Sequence, residues 1–312
     1  MRKFLFVLFA CLILSSAFAV NTDWGFITLI QRSSYFVLEE GDHSFSLMNA
    51  RFLAGGDIVK DLVSVAFQAE LDSDAVNILD AKGIYKMNPF QITVGRFLAP
   101  YDYYTPQSFA KLDLIEYPIL EAYSPFRQEG IMLSYKNDLI SSHLMVSNGS
   151  GKNSYDDTDK EKAYLLRLDL TPFKGFTVGG SCWYEKYGVD GFYKDSNRAN
   201  FMFNYKNKLF FFNNQASYIE EEDAADANIY SYAYFSHLTF FLGEKLELLS
   251  RYEFTNVNTQ VTGGLQTRFT FGVNYNIQGP KAQIAFNYQV NGESEEAKID
   301  NDKAILMFMF IL

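Results

Sequence analysis

The chain has few of the residues that disulfide-stapled secreted domains and metal enzymes depend on. Cysteine occurs twice in 312 residues, histidine three times and tryptophan twice. Cys11 falls in the N-terminal leader, so Cys182 has no partner, which excludes a disulfide framework and a cysteine metal site. Positive charge is also scarce, with 27 Lys and Arg against 37 Asp and Glu and a net charge of −10. Nucleic acid held through a global basic field is therefore not expected. Beyond the leader, no apolar run approaches the roughly 20 residues that a spanning helix needs. What the chain does have is 30 Phe and 21 Tyr. Rings in this number, without apolar helices to carry them, must sit on a surface that alternates with a polar one.

The first residues are Arg2 and Lys3, an apolar run from Phe4 to Leu14, and Ala17-Phe18-Ala19. A basic start, an apolar middle and an A-x-A site predict a signal peptide, residues 1–19, cleaved after Ala19. The run is too short to serve comfortably as a transmembrane anchor, and it continues past Cys11, which argues against lipoprotein processing. Cleavage removes two cations and no anions, so −10 becomes −12. Nothing marks a second domain, and residues 20–312 read as one unit.

Alternation of apolar and polar residues recurs from residue 24 to the end. Val63, Val65, Phe67 and Leu71 oppose Ser64, Gln68 and Glu70; Leu166, Leu168 and Leu170 oppose Arg167 and Asp169. Such alternation predicts half-buried strands, about sixteen of them. Soluble sandwiches alternate too, so the connections decide. Tight ones, such as 87–89, 136–139, 171–175, 206–208 and 277–280, take turns with longer polar ones at 32–43, 97–128, 148–161, 186–197, 220–227, 255–264 and 291–302. The short 72–75 is the exception. Outer-membrane barrels have this rhythm of short periplasmic turns and long extracellular loops. Lipid cannot satisfy an open sheet edge, so the barrel must close, and the apolar stretch from Ala304 to Leu312 suits a closing strand. The expectation is an all-β, up-and-down antiparallel transmembrane barrel in a bacterial outer membrane, with the bilayer and a lipopolysaccharide-type leaflet around it.

Residues 97–128 break the rhythm. The segment carries Pro100, Pro106, Pro118 and Pro125, together with Tyr101, Tyr103, Tyr104, Leu112, Leu114, Ile115 and Ile119. A connection longer than about fifteen residues usually has a function or is disordered, and this one is too apolar for disorder. Folding into the lumen against the wall would cover those groups; capping the mouth or packing on a neighbouring subunit is the alternative. Charge and radius at the narrowest ring set selectivity. The segment and its flanks offer Arg96, Lys111, Asp113, Glu116, Glu121, Arg127 and Glu129, and Arg51, Arg167, Arg251 and Arg268 lie on the polar faces of their strands. Arginine and carboxylate rows facing each other would set up a transverse field. The plainer reading pairs the wall arginines with neighbours such as Asp169, Glu247 and Glu253, with little net effect when solvated.

Phe45-Ser46-Leu47-Met48-Asn49-Ala50-Arg51-Phe52 before Gly55-Gly56, Ile92-Thr93-Val94-Gly95-Arg96-Phe97-Leu98-Ala99-Pro100, Pro125-Phe126-Arg127-Gln128-Glu129-Gly130-Ile131 and Val146-Ser147-Asn148-Gly149 resemble the phosphate-selective porin O and P family. The resemblance covers residues 44–150 best. It implies a sixteen-stranded, often trimeric porin, narrowed by an inward-folded loop, for passive diffusion of ions and small polar solutes. It does not extend to phosphate, because this segment has one lysine among several carboxylates. Leu312 also stands where outer-membrane proteins commonly end on an aromatic.

Three other readings are weaker. A hydrolase would need a nucleophile, base and orienting group in one site. Ser142 and His143 point to opposite faces of a strand, and only Ser141 shares a face with His143. No catalytic role is assigned. The acidic runs Asp156-Asp157-Thr158-Asp159 and Glu220-Glu221-Glu222-Asp223 could hold divalent cations, yet neither has the spacing of a calcium loop. No metal or cofactor is expected. A blocked structural or adhesive barrel would share the wall pattern. Inward Ser64, Gln68, Thr177, Gly179, Ser181, Gly272 and Asn274 favour a wet lumen, and inward Trp183 and Phe235 oppose it.

Overall fold

The computed structural model describes residues 25–311, apart from 39–42, 72–74, 150–151, 154–156, 158–160, 190–191, 223–227, 260–263, 280 and 294–300. The expected signal peptide at 1–19, Leu312 and parts of both acidic runs lie outside the described residues. Sixteen strands form one closed sheet: β1 (Gly25–Leu38), β2 (His43–Val59), β3 (Val63–Leu71), β4 (Val76–Met87), β5 (Phe90–Leu98), β6 (Arg127–Lys136), β7 (Ile140–Ser147), β8 (Ala163–Phe173), β9 (Phe176–Val189), β10 (Phe192–Lys206), β11 (Phe210–Glu222), β12 (Asn228–Leu242), β13 (Leu246–Asn256), β14 (Leu265–Asn276), β15 (Ala282–Glu293) and β16 (Lys303–Ile311). Each pairs antiparallel with its neighbours in sequence, and β1 closes on β16 from Ile30↔Ile311 to Leu38↔Lys303. Closure leaves neither β1 nor β16 as an open sheet edge, whose groups lipid would not satisfy.

The alternation fixes which face is which. Along β8 the residues are buried and exposed in strict turn, with Tyr164, Leu166, Leu168 and Leu170 outward and Arg167 and Asp169 inward. Exposed rings crowd both rims of the outer wall, among them Phe90, Phe173, Phe240 and Tyr275 near the short turns and Tyr164, Tyr184, Tyr218 and Tyr232 towards the other end. Two such girdles bracket the apolar band of an outer-membrane barrel. A soluble protein would not leave this surface in water.

The expected strands are all present, but several run further into the upper connections. β1 continues to Leu38, β9 to Val189 and β11 to Glu222, and β10 begins at Phe192, so the loops expected at 32–43, 186–197 and 220–227 are much shorter. Ladder pairing of polar residues, such as Ser196↔Glu221, carries the hairpins past the point where apolar alternation ends. β2 likewise runs through Gly55 and Gly56 to Val59. β16 is apolar on both faces, because its inward Ile305, Met307 and Met309 are covered by Ile115 of the long third connection.

Candidate functional site

Between β5 and β6 the chain runs from Ala99 to Phe126 without a strand, containing two 3-10 turns, Phe109–Lys111 and Ile119–Tyr123. Gly95 and Gly130 pair at its base. Gly95 has φ +116°, which an L side chain rarely adopts, and a Cβ there would sit 2.2 Å from the Ala81 carbonyl. At Gly130 a Cβ would sit 2.2 Å from the Val146 carbonyl oxygen, so each glycine in the motifs that flank the segment is required by a close backbone approach.

The backbone of the segment is tied to side chains of the inward parity. Arg167 of β8 donates to the carbonyls of Pro100 (3.1 Å) and Asp102 (2.6 Å), and Ser181 of β9 donates to that of Tyr101 (2.5 Å). Asn274 of β14 donates to Asp113 O (2.8 Å), Asn287 of β15 accepts from Ile115 N (2.8 Å), and Arg32 of β1 donates to Ile115 O. Arg251 of β13 donates to the carbonyls of Glu116 (3.2 Å) and Tyr117 (3.1 Å), while Glu253 accepts from Ile119 N (2.6 Å). Backbone without a strand ladder needs such partners wherever it is taken out of water.

The apolar groups of the segment divide among three wall regions. Ala99 and Tyr101 pack with Met145, Leu165 and Trp183; Tyr104, Phe109 and Leu120 with Ile30, Ala233 and Phe235; and Ile115 with Ala285, Ile305 and Met307. Trp183 and Phe235, which as bare lumen residues argued against a channel, are seats for these rings. Gly272 has a further role: a Cβ on it would lie 2.7 Å from Leu114 Cδ2, so its smallness makes room for Leu114.

The sequence-derived residues fall into groups. Arg51, Arg268, Glu116 and Glu121 line one cavity of about 540 Å³, together with Arg32 and Asn49. Arg51 is ion-paired with Glu70 and its guanidinium lies 3.9 Å from the Phe109 ring centre. Glu116 meets Lys303 at 2.8 Å, and Glu121 meets Lys152 at 3.4 Å. Asp113 lies elsewhere, 3.1 Å from the Tyr104 hydroxyl and 3.7 Å from His237, and burial pushes its carboxyl up to about 6. Arg96, Arg127 and Glu129 belong to the base: Arg96 is 3.8 Å from Glu129 and donates to Asn153 O, and Arg127 is 2.7 Å from Asp80. Lys111 is exposed at the end of the first 3-10 turn. Arg167 and Arg251 are buried beside Asp169 (2.8 Å) and Glu253 (2.9 Å), the pairing that the plainer reading of the arginines expected. Glu247 instead accepts from Asn274 and Asn276.

Arg32, Arg198 and Lys303 were not singled out from sequence. Arg32 lay just past the expected end of β1 at residue 31. Arg198 donates to the Tyr123 carbonyl (3.1 Å) and pairs with Glu221 (3.0 Å). His143 has Ser134 Oγ 2.9 Å from Nδ1 and Ser141 Oγ 3.4 Å from Nε2, and Arg167 stands opposite it on β8. With hydroxyls at both ring nitrogens and a cation across the ladder, this is not a triad arrangement. Glu221 and Glu222 are turned to Ser196 and to the backbone of Asp195.

Solved structures with the same architecture include the anion-selective porin from Comamonas acidovorans (TM-score 0.74, 11% identity, 92% of this chain and 99% of that one). A loop L8 deletion mutant of OmpT, an outer membrane protein of Vibrio cholerae, gives a TM-score of 0.69 at 14% identity, over 92% of this chain and 99% of that one. OmpF of Salmonella typhi, in complex with daunomycin, gives 0.69 at 13%, over 92% and 97%. At these identities the likeness concerns the fold. No curated protein matches the chain. The family model that matches spans residues 78–307 and is described as "Putative beta-barrel porin-2, OmpL-like". It supports the porin part of the resemblance read from the sequence and not the O and P assignment. The match covers well over half of a closed sixteen-stranded barrel with porin-like neighbours, so the chain belongs to the OmpL-like β-barrel porin-2 family, a family of outer-membrane channel formers.

Proposed function

We propose that the protein is a passive diffusion pore for ions and small polar solutes whose narrowest passage lies between residues 99–126, folded into the lumen, and the β1, β2 and β14 wall. The observation that carries this reading is the segment's bonding to inward side chains of β8, β9, β13, β14, β15 and β1, which lie on opposite sides of the barrel. A cap over the mouth would not need those anchors. In the passage, Arg32, Arg51 and Arg268 of the wall face Glu116 and Glu121 of the segment across the cavity. Opposed charges at a constriction orient polar solutes, and their identity sets which ions enter. No group in this reading performs a covalent step.

The proposal includes removal of residues 1–19 after Ala19, a mature chain of 20–312 in a lipopolysaccharide-bearing outer membrane, and assembly as a homotrimer. One structural neighbour, OmpT of Vibrio cholerae, is described in a trimer form, which favours that assembly. The resemblance of residues 44–150 to the O and P family supports the inward loop, but not phosphate as solute. Recording single-channel current from the refolded mature chain in a planar bilayer tests the proposal. Stable ohmic steps are expected, and no current from a folded, heat-modifiable barrel would refute it.

A further inference from the structure

Charge around the cavity is not balanced. Glu116 and Glu121 are each met by a lysine, Lys303 and Lys152, and Arg51 is met by Glu70. Arg32 and Arg268 are different. Arg32 donates to Ile115 O and to Asn49 Oδ1 (3.3 Å), and Arg268 donates through Nε to Asn291 Oδ1 (3.0 Å). These acceptors are neutral. Among the described residues, no carboxylate lies within ion-pair distance of either guanidinium. The nearby Asp302 is bound to the backbone N of Asn291 (2.7 Å). Two positive charges therefore face a cavity in a chain whose net charge is −10.

The rest of the lining is apolar on the segment's side, with Ile115, Pro118, Ile119 and Ala122, and Met48 on the wall. A guanidinium presents a planar fork of donors that matches a carboxylate. Resting on the pore reading above, we infer that this cavity is a binding subsite for small organic monoanions with an apolar body, held by Arg268 and Arg32 through the anionic group and by Ile119 and Pro118 along the body. The pore then favours anions although the protein is acidic, because the local field at the constriction outweighs a diffuse surface charge that salt screens.

The test uses the refolded mature chain in a planar bilayer, with benzoate as probe and benzamide as its neutral counterpart. A potassium chloride gradient should give a reversal potential of anion-selective sign, and benzoate should reduce the current at concentrations where benzamide does not. Arg268→Gln should weaken the benzoate block on the order of fivefold, the factor for losing one unit-charge contact in water. Lys174→Gln, which removes the same charge from an exposed turn, should leave the block unchanged. Heat-modifiable mobility confirms that each variant folds, and the benzoate and benzamide comparison stands on the unaltered chain. Cation selectivity, or equal block by both probes, would overturn the inference while leaving the pore in place. Absence of any current would instead overturn the pore reading beneath it.

Discussion

Replacing Arg251 by Met probes how the wall holds the segment. The change removes the donor to the Glu116 and Tyr117 carbonyls and leaves Glu253, which is fully buried, without its counter-charge. Stranding one member of a buried pair costs about 3–5 kcal/mol, a figure that already contains part of the lost hydrogen bonds. In Arg251→Met/Glu253→Met no charge is stranded. The remaining loss is the unpaired Ile119 N, which donated to Glu253 at 2.6 Å, and the Glu116 and Tyr117 carbonyls; all three are part-buried and reach water more readily than the stranded Glu253 carboxylate, so each costs less than the roughly 1–3 kcal/mol of a fully buried group. The double variant should therefore be no less stable than the single one, a large non-additivity. Urea unfolding of the barrel refolded in detergent, read through the buried Trp183, measures both. The loss should also appear as protease cleavage near residues 116–119 before the barrel opens, because strand pairing is untouched. A single variant within about 0.5 kcal/mol of the unaltered chain, the range of an ordinary surface substitution, would refute the clamp. So would a double variant clearly less stable than the single one.

Other consequences follow from the same contacts. Gly272→Val places a side chain where Leu114 sits, with Cβ 2.7 Å from Leu114 Cδ2, and should raise proteolysis of the segment while the barrel stays heat-modifiable. Trp183→Ala removes the seat of Tyr101 and should destabilise by about 3–5 kcal/mol, as large-to-small core changes do, in urea unfolding followed by heat-modifiable mobility, since the variant lacks the Trp183 signal. Gly95→Ala is strained at φ +116° and should lower refolding yield more than alanine at Gly83, where a Cβ meets open space. The Asp113 carboxyl is raised by burial from 3.8 to about 6, against the pull of Tyr104, Lys206 and Arg251. A raised carboxyl contributes stability that is full below about 3.8 and lost as pH rises through about 6. The segment should therefore resist protease better at acidic than at neutral pH, and Asp113→Asn should abolish that difference.

The barrel was legible because lipid on one side and a polar interior on the other impose alternation on every strand, and Tyr164 to Leu170 carries it residue by residue. Strand ends were less legible, since the upper hairpins are held by backbone pairing that polar residues such as Ser196 and Glu221 can make. The segment could be located from its prolines and tyrosines, but not its seats. Gly272 and Trp183 look like opposite evidence about the lumen until Leu114 and Tyr101 are placed against them. Arg51, Arg268, Glu116 and Glu121 meet in one cavity as a set of opposed charges. Arg32 escaped because β1 outlasts its apolar pattern by one turn of the ladder, and Arg96, Arg127 and Glu129 serve the base, where no periodicity separates them from the passage.

If residues 99–126 narrow the pore from within, as proposed, shortening them must widen it. Single-channel conductance of a chain in which residues 103–120 are replaced by a short Gly-Ser linker tests it most directly. Stable channels with a conductance several times that of the full chain are expected. An unchanged conductance from a correctly folded barrel would contradict it.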